Sequence, residues 1–169
     1  RSYASGRPLN VLKPTPENIQ AAARVIQRGG AVVMPTETVY GLACNALDEA
    51  AVARVFALKG RPEDNPLIVH VADLEDLDQV ALEVPDVARL LADRFWPGPL
   101  TMVLPKRTDV PYRTTGGLDT VAVRIPNHPV ALALIRECGL PLAAPSANVF
   151  SRLSPTSAKD VDREIAEGA

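Results

Sequence analysis

Thr120-Val121-Ala122-Val123-Arg124-Ile125 is the stretch that decides how this chain folds. Side chains alternate across a strand, so Thr120, Ala122 and Arg124 share one face and Val121, Val123 and Ile125 the other. A strand with one wholly apolar face belongs to a sheet whose apolar side is covered. Its other side, bearing a threonine and an arginine, is left open to solvent or to a ligand.

Working outward, short apolar runs alternate with capped helical patterns. Thr15-Pro16-Glu17 reads as N-cap, first-turn proline and first-turn acid, ahead of Ile19, Ala22, Ala23 and Ile26 at helical spacing and a Gly29-Gly30 stop. Ala31 to Met34 is a buried strand. Asp48 caps a helix carrying Val52, Val55 and Phe56 on one face, with Lys59 in the last turn and Gly60 as its end. Leu67 to Val71 is the next strand, and Asp73 caps a short helix with Leu74 and Leu77. A clearer helix has Val87, Leu90, Leu91 and Phe95 as its apolar set and stops at Trp96-Pro97-Gly98-Pro99. Leu100 to Leu104 is a strand, followed by a polar loop to Asp119. Beyond the opening stretch, Asn127-His128-Pro129 starts a helix with Val130, Leu134 and Ile135 inward and Gly139 at its end. Leu140 to Ala144 leads into Pro145-Ser146-Ala147-Asn148, and Ser157-Ala158-Lys159-Asp160 opens a final helix. With 16 prolines among 169 residues cutting the apolar runs short, the pattern is that of an α/β sheet protein with many fixed turns.

Composition bounds the function. At 47% hydrophobic, the chain buries a core and reads as one domain, residues 15–169, behind a flexible N-terminal segment, residues 1–14. A net charge of −2 gives no general basic footprint for nucleic acid. Cys44 and Cys138 are too few for a disulfide framework; they suit a reducing, cytoplasmic setting and read as packing residues. No apolar run approaches the ~18 residues of a membrane span. The phosphate-loop, dinucleotide, nucleophile-elbow and zincin motifs are all missing, and two histidines without close cysteine pairs make a structural zinc site improbable. Tyr40 and Trp96 are too isolated to form a base-stacking platform.

What remains is a set of polar residues where apolar runs end. Pro35 to Leu42, PTETVYGL, brings Thr36, Glu37 and Thr38 out of a strand. Lys59 with Arg61 and Ser146 with Asn148 are pairs at spacing two, aimed the same way in extended backbone. A planar guanidinium beside a point charge suits polyphosphate, and Ser and Asn suit phosphate oxygens or the magnesium that travels with them. Each pair alone is more often a solvated surface feature; several clusters at strand ends, where open α/β sheets bind ligands, carry more weight. His70, ending an apolar strand, reads by itself as a core histidine, His128 as a local cap, and Glu63 and Asp64 as loop charges.

Taken together, PTETVYGL (35–42), KGRPEDNPLIVH (59–70), WPGPLTMVL (96–104), GLDTVAVRIPNHP (117–129) and APSAN (144–148) followed by SPT (154–156) resemble the YrdC-like domain of the threonylcarbamoyl-AMP synthase family. The likeness runs in unbroken order from Ile19 to Val161. It implies a twisted, open, mostly mixed sheet with flanking helices and a concave ligand face. It implies a nucleotidyltransferase that condenses L-threonine, bicarbonate or CO2, and ATP to threonylcarbamoyl-AMP with release of pyrophosphate. A partner transferase then modifies tRNA, and a weak contact with tRNA itself is a further expectation. By motif, Lys59, Arg61, Ser146 and Asn148 would carry catalysis and hold the triphosphate with its Mg2+. Asn65, Thr120 and Ser154 would face the nucleotide, and Thr36, His70, Arg124 and the backbone near Ala144 would hold threonine.

The family often has glycine where this chain has Ala43 and Ser151, and its domains usually continue past the last helix, so the chain reads as lacking a C-terminal portion. Two other functions fit the same cleft: an RNA-binding module without chemistry, and a carbamoyl-transfer domain of a larger maturation enzyme.

Overall fold

A computed structural model describes residues 12–60 and 65–147. Arg61, Glu63, Asp64, Asn148, Ser154 and the final predicted helix lie outside the described residues, as does all but the end of the 1–14 segment.

The elements run α1 (Pro16–Gln27), β1 (Val32–Pro35), β2 (Tyr40–Asn45), α2 (Glu49–Lys59), β3 (Ile68–His70), a 3-10 turn (Leu74–Gln79), α3 (Asp86–Phe95), β4 (Met102–Pro105), α4 (Tyr112–Thr115), β5 (Thr120–Arg124), α5 (Pro129–Cys138) and β6 (Leu142–Ala143). Local chemistry sets the helix ends. The Thr15 hydroxyl accepts from Asn18 N, the Asp48 carboxylate from Ala50 N and Ala51 N, and His128 Nδ1 from Val130 N. Gly60 and Gly139 end α2 and α5 in the left-handed region, at φ 61° and 66°.

The six strands form one open mixed sheet in the order β1-β2-β6-β3-β5-β4. The β3–β5 pair is parallel and the others antiparallel. Register assigns every strand residue to a face. Val33, Leu42, Cys44, Ala143, Val69, Val121, Val123, Met102 and Leu104 form the core side, packed with Val52, Val55 and Phe56 of α2 and Ala88 and Ala92 of α3. The opposite face is divided. α1 and α5 cover its β1-β2-β6 part through Ala23, Ile26, Met34, Ala43, Ala131, Leu134, Ile135 and Leu142. Among the described residues no helix covers β3, β5 and β4, and Ile68 and Val103 are exposed where their core-side neighbours are buried. The half-covered face is the one that carries His70 and Arg124, and the uncovered half beside them makes a cleft.

One strand is added to the expected pattern and one helix face is corrected. Tyr40 to Asn45 is a strand that the sequence pattern does not mark; Leu42 and Cys44 face one core and Ala43 the other, so burial on both sides removes the alternation that marks a strand. On α3 the large apolar residues point outward: Val87 and Leu90 are 63% and 62% exposed, while Ala88 and Ala92 are buried. Ala88 and Ala92 are the α3 side chains that enter the core cluster, where added methylenes meet close packing. Ala92→Leu should therefore lower unfolding free energy by about 1–3 kcal/mol by overpacking, whereas Leu90→Gln should change it by less than about 0.5 kcal/mol; urea unfolding measures both.

Candidate active site

The cleft narrows to a cavity of about 270 Å3 lined by Thr36, Thr38, Val39, Gly41, Pro66, Ile68, His70, Arg124, Ala144, Pro145 and Ser146. It forms because three chain segments meet there. In parallel register, His70 on β3 stands beside Arg124 on β5 and on the same face. Beyond β6 the chain continues alongside β2: Leu42 N donates to Pro145 O at 2.7 Å, Ala147 N donates to Tyr40 O at 2.9 Å, and Gly41 bridges to Ser146. Gly41 permits this approach, since a Cβ there would lie 3.2 Å from the Ala144 methyl. The third segment is the turn joining β1 to β2.

That turn distinguishes two threonines that the sequence treats alike. Thr36 Oγ1 donates to Val39 O at 2.6 Å and accepts from the Thr38 and Val39 amides, so its hydroxyl is occupied in holding the turn. Thr38 lines the same cavity, and its exposed hydroxyl lies 3.1 Å from that of Thr36. Thr38 was not singled out from the sequence, because spacing alone does not say which hydroxyl a turn will consume.

Arg124 is 6% exposed at the cavity wall. Its guanidinium pairs with the Glu37 carboxylate, whose second oxygen accepts from the Asn127 amide. Among the described residues, Arg124 Nε is the one buried side-chain nitrogen or oxygen without a hydrogen-bond partner. Burial also draws its pKa below the usual arginine value. His70 is buried, its Nδ1 3.1 Å from Ile68 O; a carbonyl only accepts, so Nδ1 carries the proton.

Burial pulls the His70 pKa from 6.5 down to about 4, against the opposing pull of the Ile68 and Leu142 carbonyls. Between those values the unfolded chain binds a proton that the folded chain does not. The stabilisation is therefore complete above about pH 6.5 and falls as the pH drops toward 4, by about 1.4 kcal/mol per pH unit within that window. Urea midpoints at pH 7 and pH 5 should show this loss in the wild type and a smaller one in His70→Gln.

Lys59 closes the other end of the cleft. It is 2% exposed, and its Nζ donates to Ser146 O at 2.5 Å, clipping the end of α2 to the segment after β6. The two spacing-two pairs thus meet through Lys59 and Ser146; Arg61 and Asn148 lie outside the described residues. Ala144 lines the cavity. Asn65 precedes the lining residue Pro66 without belonging to the wall. Thr120 opens β5 opposite Pro105, on the open face but beyond the cavity.

No group of three or more His, Cys, Asp or Glu side chains gathers as a metal site among the described residues. Nor does any described helix have the length and apolarity to cross a membrane. A larger groove of about 360 Å3 runs between α1, β1 and the start of α5, but among the described residues its lining contains no acid and, of lysines and arginines, only the exposed Lys13. The charged chemistry lies in the smaller cavity.

The Sua5/YciO/YrdC family model, described as telomere recombination, matches residues 24–169. Threonylcarbamoyl-AMP synthase of Pyrococcus abyssi is 59% identical over 147 residues, 87% of this chain and 43% of the relative. The Bacillus subtilis protein of the same name is 51% identical over 151 residues, 89% of this chain and 43% of the relative. The crystal structure of P. abyssi Sua5 complexed with L-threonine superimposes with a TM-score of 0.84 at 54% identity, covering 94% of this chain and 45% of that one. The chain spans less than half the length of these relatives.

Proposed function

This chain belongs to the Sua5/YciO/YrdC family, and from that premise we propose that it carries the active site of a threonylcarbamoyl-AMP synthase, a nucleotidyltransferase. The observation that carries the reading is Arg124: a buried guanidinium with an unsatisfied Nε, at the wall of a small cavity whose lining residue Ser146 accepts from the buried Lys59. A cavity of about 270 Å3 is smaller than the ~300–1,000 Å3 of typical ligand pockets. It suits an amino acid and is too small for a whole nucleotide, which would lie along the open face over β3 and β5. The L-threonine held by the P. abyssi relative supports the same choice of ligand.

In this reading Arg124 takes the threonine carboxylate through charge-assisted hydrogen bonds. Neutral His70, with Nδ1 committed to Ile68, and the Thr38 hydroxyl line the amino-acid cavity, Thr36 fixes the turn, and the backbone at Ala144 forms the facing wall. The threonine amine combines with bicarbonate to give the carbamate and water. A carbamate oxygen then attacks the α-phosphorus of ATP as the bond to the β-phosphate breaks and pyrophosphate leaves. No protein nucleophile is needed; the residues position two substrates and neutralise charge. Lys59, with Arg61, Ser146 and Asn148, would hold the triphosphate, whose Mg2+ arrives as part of the substrate. Asn65, Thr120 and Ser154 would flank the nucleotide. A transferase that passes the threonylcarbamoyl group to tRNA is the proposed partner.

Pyrophosphate release tests the proposal. It should require L-threonine and bicarbonate together, and release that is indifferent to threonine would overturn it.

A further inference from the structure

The mechanism above makes no use of Glu37, yet its carboxylate stands where a ligand carboxylate would bind. One oxygen pairs with Arg124 and the other accepts the Asn127 amide, immediately before the N-cap of α5. Cation and backbone N–H beside a helix N-terminus are the partners an incoming anion would seek. We propose that Glu37 is a specificity-determining residue of this cavity: its carboxylate occupies the anion-binding end, so that a ligand enters by presenting a carboxylate of its own that displaces it. The inference rests on reading the cavity as the amino-acid subsite.

Three observations favour displacement over a fixed brace. The turn that carries Glu37 is held by Thr36 and the backbone, so the carboxylate can leave without undoing the turn. The Glu37 side chain is 21% exposed against 7% for Arg124, so the acid lies on the solvent side of the pair and has water to move into. Glu37 also leaves Arg124 Nε without an acceptor. A ligand carboxylate approaching from the cavity can engage Nε and a terminal nitrogen together, the bidentate geometry that a guanidinium favours. A neutral ligand offers nothing to replace the bond it would break, which makes a carboxylate an entry requirement. The apparent affinity is reduced by the fraction of molecules in which the site is closed.

The test titrates L-threonine, and acetate as a bare carboxylate, into the wild type and Glu37→Gln, followed by NMR shifts of the cavity residues. Both ligands should bind about five- to tenfold more tightly to the variant, as expected for a site closed in most molecules. Thermal melting of the variant should show a loss of stability, since Arg124 loses its partner. Glu37→Asp, one methylene too short to span Arg124 and Asn127, should shift both affinities the same way and serves if Glu37→Gln does not fold. Unchanged or weaker binding of both ligands overturns the proposal; if L-threonine still binds the wild type, the substrate reading stands. Tighter acetate binding with no L-threonine binding in any of the proteins supports the displacement and overturns the substrate reading.

Discussion

Arg124→Ala should weaken L-threonine binding by about tenfold to a hundredfold, the ~1.5–3 kcal/mol of a hydrogen bond to a charged group, and leave ATP binding unchanged. The size follows from burial. At 6% exposure the guanidinium has already given up its water, so the ligand carboxylate meets a desolvated partner that solvent cannot replace. The selectivity follows from position: Arg124 lines the cavity beside His70, whereas Lys59 donates to Ser146 O and is not part of the lining. The truncation also strips the Glu37 carboxylate of its cation, so a lower melting temperature should accompany the loss. Calorimetric titration of each ligand separately checks the split. Equal losses for both ligands would mean that Arg124 supports the cleft as a whole and does not hold the amino acid.

Lys59→Met should lower kcat by about a hundredfold to a thousandfold, the range for removing one group that stabilises charge developing in a transition state. L-threonine affinity should be retained. Methionine keeps most of the volume of the buried stem, so packing in α2 is largely preserved. What disappears is the bond to Ser146 O and, in the proposed reaction, the cation that would meet the charge gathering on pyrophosphate. A variant that loses L-threonine binding in parallel would show instead that the Lys59 clip to the segment after β6 shapes the amino-acid cavity.

The two residues differ in how plainly the sequence announced them. Arg124 could be read from strand alternation, because the apolar partners Val121 and Val123 are one-sided and buried as that pattern requires. Lys59 was placed by Asp48 and Gly60, local signals that bound the helix and put the lysine in its last turn. Caps and periodicity act over a few residues and are legible for that reason. Glu37 was not legible: its partners are 87 and 90 positions away, and nothing in Thr-Glu-Thr distinguishes a loop acid from one that meets an arginine. The choice between Thr36 and Thr38 was equally closed, because it depends on which hydroxyl closes the turn.

The fold divides in the same way. Capped helices and one-sided strands were readable, while β2, buried on both faces, carries no alternation to read. In α3 the amphipathic pattern named the wrong side: Ala88 and Ala92 join the core cluster, while Val87 and Leu90 stay exposed. Which face a helix buries depends on the room its neighbours leave, and that is not written in its own residues. The motif resemblance supplied what periodicity could not, the assembly of distant pieces into one cleft. Within that cleft the structure separates Asn65 and Thr120, which lie outside the cavity wall, from His70 and Arg124, which form it.

The most direct test of the account incubates the protein with ATP, L-threonine and carbon-labelled bicarbonate and follows the label by mass spectrometry. The account predicts label in an adenylate that contains threonine, absent when threonine is omitted and strongly reduced in Arg124→Ala. Pyrophosphate release without labelled adenylate, or labelled adenylate that forms equally well in Arg124→Ala, would contradict it.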